Sequence, residues 1–166
     1  MNNEAEPIVV VTTGGTIDKV YFDALSAFQV GEPAVLRLLH IAHATHPFRV
    51  VELLRKDSLE LTDADRVRLC EQVAALPERR VVVTHGTDTM TASAHALVVV
   101  PGKTIVLTGA LAPARFQESD APFNLGMAFA AVQTLPPGVF IAMNGQVFRG
   151  DEVEKDRANA RFVRKK

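Results

Sequence analysis

Five short runs of apolar, largely β-branched residues divide the sequence, and they constrain its fold more than any other feature. Each run is continuously apolar rather than alternating, which is typical of parallel strands that are covered on both faces. The predicted strands span residues 7–13, 48–54, 80–84, 103–108 and 138–143.

Segments with helical spacing of their apolar residues separate these strands. They cover residues 33–44, 62–76, 88–98 and 122–135. Pro33 suits the first turn of a helix, and Thr62 is a candidate N-cap. The alternation of strand and helix predicts an α/β fold, in which three α/β/α layers enclose a mostly parallel, doubly wound sheet of the Rossmann or flavodoxin-like kind.

Composition limits the class of protein. The chain has 166 residues, 48% hydrophobic and 22% charged, which predicts a single globular domain over residues 1–166 and no second domain. A formal net charge of -1 argues against a nucleic-acid partner. No apolar run approaches the roughly 20 residues that span a bilayer, so no membrane partner is expected.

The location and the chain end are predicted from local features. The single cysteine and the polar residues 1–4, which do not resemble a secretory signal, favour a cytoplasmic location. The basic end of the chain, residues 161–166, is predicted to be solvated.

Ligands of open parallel sheets bind at the carboxyl ends of the strands, where this sequence carries glycine and threonine. The first strand leads into Thr-Gly-Gly-Thr-Ile at 13–17, which is either a tight turn or a catalytic loop and matches no glycine-rich phosphate-binding pattern. The third leads into His-Gly-Thr-Asp-Thr-Met at 85–90. There Thr87 or Asp88 either caps a helix or, with a lysine, belongs to a group that activates a threonine hydroxyl.

Two other groups are better explained by structure than by chemistry. His40, His43 and His46 have a spacing that suits a metal, but no acidic or cysteine ligand lies in their run, so no metal site is predicted. Cys70 lies beside Val67 at helical spacing and is predicted to be a buried core residue.

Together these motifs resemble those of bacterial-type L-asparaginases. The resemblance rests on Thr13-Gly-Gly-Thr-Ile, His85-Gly-Thr-Asp-Thr-Met, Thr108-Gly-Ala, Pro122-Phe-Asn-Leu and Val153-Glu-Lys155, which occur in the family's order at the predicted strand ends. It covers nearly the whole chain, but only the N-terminal domain of the usual family member. The segment Lys-Asp-Ser-Leu-Glu at 56–60 is similar to that of compact asparaginases without a second domain.

The resemblance implies a catalytic role for five residues. Thr13 would be the acyl-accepting nucleophile, and Tyr21 would be the loop tyrosine that closes over the site, held nearly in place by a short loop. Thr87, Asp88 and Lys155 would form a proton relay.

The implied substrate-binding residues are Asp57, Ser58, Gly86, Thr87 and Asp88. Ser58 would hold the substrate α-carboxylate, and Asp88 would receive the α-ammonium group. The implied reaction is hydrolysis of L-asparagine to L-aspartate and ammonia through a threonine ester, with no cofactor and with weak or no glutaminase activity. The alternatives are a non-catalytic amino-acid-binding or regulatory module, a piece of a longer amidohydrolase, and a relative that acts on charged tRNA.

Two departures from the usual family pattern predict weak substrate binding. Full-length members complete each site with a neighbour's C-terminal domain, which this chain is expected to lack, and Leu59 stands where a polar residue is common. Glu60, Glu118, Asp120 or an adjacent subunit would compensate, and the sequence does not choose among them. An apolar sheet edge favours a homodimer or homotetramer.

Overall fold

Strands and helices alternate along the chain as the apolar runs predict. The computed structural model describes residues 5–166, so residues 1–4, which bear on the expected absence of a secretory signal, lie outside the described residues. Within the described part the strands are β1 (Ile8–Gly14), β2 (Lys19–Phe22), β3 (Ala27–Val30), β4 (Phe48–Lys56), β5 (Arg80–Thr84), β6 (Thr104–Thr108), β7 (Gly138–Met143), β8 (Gln146–Arg149), β9 (Val153–Asp156) and β10 (Arg161–Arg164). The helices are α1 (Val35–Ile41), α2 (Asp63–Ala75), α3 (Met90–Leu97) and α4 (Ala121–Thr134).

The central sheet has the strand order β4-β1-β5-β6-β7-β8. The first five strands are parallel, and β8 pairs with β7 in the antiparallel sense. Counted along the chain, the parallel strands have the order 2-1-3-4-5, which is that of flavodoxin-like folds. The predicted fold class is therefore confirmed, and the order reverses between β1 and β5.

Helices cover both faces of this sheet. The side chains of Val10, Val82 and Val106 pack against α1 and α4 on one face. Val9, Val81 and neighbouring residues pack against α2 and α3 on the other. Burial on both faces explains why the strands read as continuous apolar runs.

Thr62 is the N-cap of α2, as predicted. Its hydroxyl accepts a hydrogen bond from Asp65 N at 3.2 Å, and the Asp65 carboxylate accepts one from Thr62 N at 2.9 Å. These reciprocal bonds form a capping box. The helix α1 is shorter than the predicted segment 33–44, and His43, with φ of 50°, lies just beyond its end.

Two hairpins and one half-buried residue depart from the sequence predictions. β2 pairs with β3 and β9 with β10, each as a separate two-stranded ribbon. The chain end is therefore not simply solvated, because Phe162 in β10 is 1% exposed within the core on the α2 and α3 side.

Cys70 is only half-buried, its thiol donates to Ala96 O at 3.4 Å, and Val67 beside it is exposed. Between residues 5 and 166, no helix is long and apolar enough to cross a bilayer.

Candidate active site

The loops that follow β1 and β5 touch each other at the point where the strand order reverses. Gly15 has φ of 92°, a conformation that favours glycine, and a Cβ there would overlap the backbone N and Cα of Gly86. A Cβ on Gly86 would in turn lie 2.5 Å from Ser58 Cβ. The two glycines therefore allow three loops to meet where ligands of such sheets bind.

The glycine pair separates two threonines with different environments. Thr13 is fully buried, and its hydroxyl donates a hydrogen bond to Thr84 O at 2.8 Å. Thr16 is partly exposed and begins the 3-10 turn Thr16–Asp18. The burial of Thr13 argues against the expectation that it attacks a substrate, because its oxygen is covered and already bonded.

Thr16 lies close to the loop that carries the predicted relay. Gly15 contacts Gly86, and Thr16 and Thr87 each follow the contacting glycine by one residue. The glycine contact therefore brings the backbones that carry these two hydroxyl groups next to each other.

Lys155 joins Thr87 and Asp88. Its Nζ donates to Thr87 Oγ1 at 2.8 Å and to Asp88 Oδ1 at 2.7 Å. Thr87 is 6% exposed, whereas the Asp88 side chain is 36% exposed. The group is thus open to a ligand at the carboxylate and closed around the lysine.

A second cation lies against Asp88. Arg157 Nη2 donates to Asp88 O at 3.3 Å, and its Nε is 3.8 Å from Asp88 Oδ1. Arg157 follows β9 by one residue, so the β9–β10 hairpin supplies both the lysine and the arginine. The Asp88 carboxylate therefore lies between two cationic side chains.

The turn after β4 places Asp57 and Ser58 beside the glycine contact. Asp57 Oδ2 is 2.7 Å from Lys19 Nζ, and the hydrogen bond from Lys19 holds the pKa of this carboxyl below its usual range. Ser58 is 2% exposed under Gly86, and its carbonyl accepts a bond from Thr89 Oγ1 at 2.8 Å. Leu59, the next residue, is 68% exposed.

Tyr21 lies on the β2–β3 hairpin, outside the central sheet. Its ring packs edge-on against Phe28, which lies opposite it in the ribbon, with the ring centroids 5.4 Å apart. Tyr21 is exposed, and within residues 5–166 no hydrogen bond joins its hydroxyl to Thr13 or Thr16.

Asp18 holds the base of this hairpin. Its carbonyl accepts a hydrogen bond from Gly31 N and its Oδ1 one from Ala34 N, both at 2.8 Å. Its Oδ2 is buried and has no partner among the described residues. Burial raises the pKa of this carboxyl to about 6, with a smaller contribution from Glu52 in the same direction.

His85 is fully buried directly before the relay. Its Nδ1 is 2.7 Å from Gly86 O, and its Nε2 is 2.7 Å from Ser93 Oγ in α3. Burial lowers the pKa of the imidazole to about 4, so the ring is neutral at physiological pH.

Three acidic residues were expected to compensate for weak substrate binding, and they differ in their surroundings. Asp120 accepts hydrogen bonds from Leu111 N, Ala112 N and Asn124 Nδ2, which engage its carboxylate within the fold. Glu60 and Glu118 are exposed. Across residues 5–166, no three His, Cys, Asp or Glu side chains lie close enough to hold a metal ion.

Comparison with known proteins decides the family. Residues 7–162 match the family described as "Asparaginase, N-terminal". The chain belongs to the asparaginase family. A glutaminase-asparaginase of Acinetobacter glutaminasificans is 32% identical over 89% of this chain and 49% of its own length.

Two solved structures of family members share this fold. The L-asparaginase I of Vibrio cholerae has a TM-score of 0.83 at 27% identity, covering 96% of this chain and 51% of its own. The thermostable L-asparaginase of Thermococcus kodakarensis has a TM-score of 0.82 at 27% identity, covering 95% and 51%. This asparaginase-family chain spans about half the length of the curated relatives it matches.

Some of the site residues predicted for this asparaginase-family chain lie together in the structure, and others do not. Thr87, Asp88 and Lys155 come together as predicted. Thr16 belongs to the quoted Thr-Gly-Gly-Thr-Ile motif but is not among the predicted site residues, and it is partly exposed whereas Thr13 is buried. Arg157 was also missed, and its position two residues after Lys155 was the one available signal.

Proposed function

We propose that this protein is an L-asparaginase, which hydrolyses the side-chain amide of L-asparagine to L-aspartate and ammonia. The proposal is supported chiefly by Lys155, which donates to both Thr87 and Asp88 beside the glycine loop of an asparaginase-family chain. A lysine that links a hydroxyl to a carboxylate has the proton path that amide hydrolysis needs.

Thr16 is the proposed nucleophile of the first step, in place of Thr13. Its oxygen attacks the amide carbon, the bond from that carbon to nitrogen breaks, and the threonine proton leaves on ammonia. The product is an aspartyl ester on Thr16. The support for this choice is the partial exposure of Thr16 and the complete burial of Thr13.

The relay activates water in the second step. Lys155 passes a proton to Asp88, Thr87 passes its hydroxyl proton to Lys155, and water passes a proton to Thr87 as its oxygen attacks the ester. The ester bond breaks, the proton stored on Asp88 returns through Lys155 and Thr87 to the Thr16 oxygen, and aspartate leaves. The two transfers between protein side chains follow the hydrogen bonds that join Lys155 to Thr87 at 2.8 Å and to Asp88 at 2.7 Å.

The two charged groups of the substrate are expected to bind at two different places in the site. The exposed side of the Asp88 carboxylate receives the α-ammonium group, and the segment Asp57–Ser58 receives the α-carboxylate. Tyr21 stays a proposed lid residue, with small differences expected between its free and ligand-bound conformations. Binding is expected to be weak because Leu59 stands where a polar residue is common in the family, and asparagine is expected to be preferred to glutamine.

The nucleophile is tested by Thr16→Ala and Thr13→Ala, with Thr16→Ser as the matched control. Thr16→Ala is expected to abolish ammonia release while the fold persists, and Thr16→Ser retains part of it. Thr13→Ala removes only a buried hydrogen bond and loses about 1 kcal/mol of unfolding free energy. An aspartyl adduct on denatured protein should map to Thr16. An adduct on Thr13 or Thr87 would reassign the attack.

A non-catalytic amino-acid-binding module is the alternative. It predicts that wild-type protein binds aspartate in calorimetry yet releases no ammonia from asparagine. Glutamine must be assayed in parallel because a similar protein is named a glutaminase-asparaginase. Faster ammonia release from glutamine would reverse the proposed preference. The proposed cytoplasmic location and homo-oligomeric state are checked by cell fractionation and by light scattering.

A further inference from the structure

His85 has no part in the proposed proton transfers, yet it is the fully buried side chain closest in sequence to the relay. Its ring contacts two groups of different kinds. Gly86 O is a carbonyl oxygen, which only accepts hydrogen bonds, and it lies 2.7 Å from Nδ1. The proton of the neutral ring must therefore be on Nδ1, which leaves Nε2 as an acceptor for the Ser93 hydroxyl at 2.7 Å.

The hydrogen bond from His85 has a consequence for the next amide. In a trans peptide group the C=O of one residue and the N–H of the next point in opposite directions. Holding Gly86 O towards the buried ring therefore turns the N–H of Thr87 away from it. Among residues 5–166, no carbonyl or side chain accepts a hydrogen bond from Thr87 N.

The orientation of the Gly86–Thr87 peptide depends on the few groups that contact it. Gly86 has no side chain of its own to fix it, and it lies between the backbone of Gly15 and the side chain of Ser58. Thr87 and Asp88 follow at once, and Lys155 holds their side chains but not the Gly86–Thr87 peptide. The fixed support of that peptide is the pair of hydrogen bonds from α3 through His85.

We propose that His85 is a positioning residue, which as its Nδ1–H tautomer, backed by Ser93, aims the Thr87 N–H at the oxyanion of the reaction. This inference rests on the proposed function, because the N–H matters catalytically only where an amide or ester carbonyl is attacked. An N–H aimed at the oxyanion acts mainly in the transition state, so its loss lowers kcat far more than it changes KM.

Two substitutions of His85 separate positioning from mere packing. In His85→Asn the side-chain amide nitrogen occupies the place of Nδ1 and still donates to Gly86 O. In His85→Gln the amide lies near the place of Nε2 and contacts Ser93 instead. Both leave a gap in the core, and denaturation should show comparable losses of stability. Asparagine turnover is expected to keep within about tenfold of wild-type kcat for His85→Asn and to fall roughly 100-fold for His85→Gln, with little change in KM.

Spectroscopy tests the same proposal independently of turnover. Nitrogen-15 NMR of labelled histidine, with the His85 signal assigned by its loss in His85→Gln, should show a proton on Nδ1 and none on Nε2 at neutral pH. Addition of L-aspartate, whose side-chain carboxylate occupies the oxyanion position, should shift the Thr87 amide signal in wild-type protein and His85→Asn but not in His85→Gln.

Each outcome is decisive. Equal losses of kcat in the two variants, a proton on Nε2, or a Thr87 shift that persists in His85→Gln would each overturn the positioning role. Wild-type protein that releases no ammonia would refute the proposed function alone, since the tautomer and the aspartate-induced shift are measured without catalysis.

Discussion

The carboxyl group of Asp18 should make the stability of this protein fall as pH rises through the weakly acidic range. Asp18 is 2% exposed, its Oδ2 has no partner among the described residues, and burial raises its pKa from 3.8 to about 6. A raised pKa means that the folded state binds the proton more tightly than the unfolded state does. The stabilising effect is complete below pH 3.8 and is lost as pH rises through about 6.

The size of the effect follows from the two pKa values. The difference between 3.8 and about 6 corresponds to about 3 kcal/mol in total, of which about 2 kcal/mol falls between pH 4 and pH 7. Asp18→Asn removes the ionisation and retains an oxygen for the N–H of Ala34. We therefore compare the unfolding free energy of the variant with that of wild type at each pH. The variant minus wild-type difference should rise by about 2 kcal/mol from pH 4 to pH 7. Any effect of the new amide that does not depend on pH leaves this rise unchanged.

Urea denaturation at half-unit intervals from pH 4 to pH 7 measures this difference. Asp57→Asn is the matched control, because the hydrogen bond from Lys19 lowers the pKa of Asp57 and places its titration below the pH range of the assay. Its carboxylate stabilises the fold above pH 3.8 and ceases to do so as pH falls below that value, so the difference for Asp57→Asn should stay within about 0.3 kcal/mol from pH 4 to pH 7. A flat or falling difference for Asp18→Asn would refute the reasoning, since it would show that Oδ2 is solvated or paired.

Two further predictions concern stability. Thr62→Ala should lower the unfolding free energy by about 1 kcal/mol through loss of the capping box, with Thr62→Ser close to wild type in the same denaturation assay. Phe162→Ala should cost about 3–5 kcal/mol because this side chain is 1% exposed in the core, whereas exposed Arg161→Ala in the same strand should change stability by less than about 0.5 kcal/mol. Equal effects of these two substitutions would contradict the burial of the chain end.

The central sheet was predictable because its strands meet helices on both faces. Burial on two sides requires runs such as Ile8–Val11 and Val81–Val83, and these runs are visible in the sequence without knowledge of their partners. The ribbons β2–β3 and β9–β10 gave no such signal. Each of these strands has only four residues. Phe28 in one ribbon is exposed and Phe162 in the other is buried, so tertiary contacts alone decide whether a ribbon residue is buried.

The proposed division of roles between Thr13 and Thr16 shows why the candidate site is only partly predictable from the sequence. The predicted relay could be recognised in the sequence because its three residues, Thr87, Asp88 and Lys155, differ chemically and occur in the order of the family motifs. The glycine loop instead offers two identical hydroxyl groups, one on each side of a glycine pair. Their roles depend on which hydroxyl the chain buries. Gly14 and Gly15 both have a positive φ where the chain leaves β1, and Thr13 before them is buried whereas Thr16 after them is partly exposed. The amino-acid types on the two sides of the glycines do not reveal this difference in burial, and the proposed choice of nucleophile depends on it.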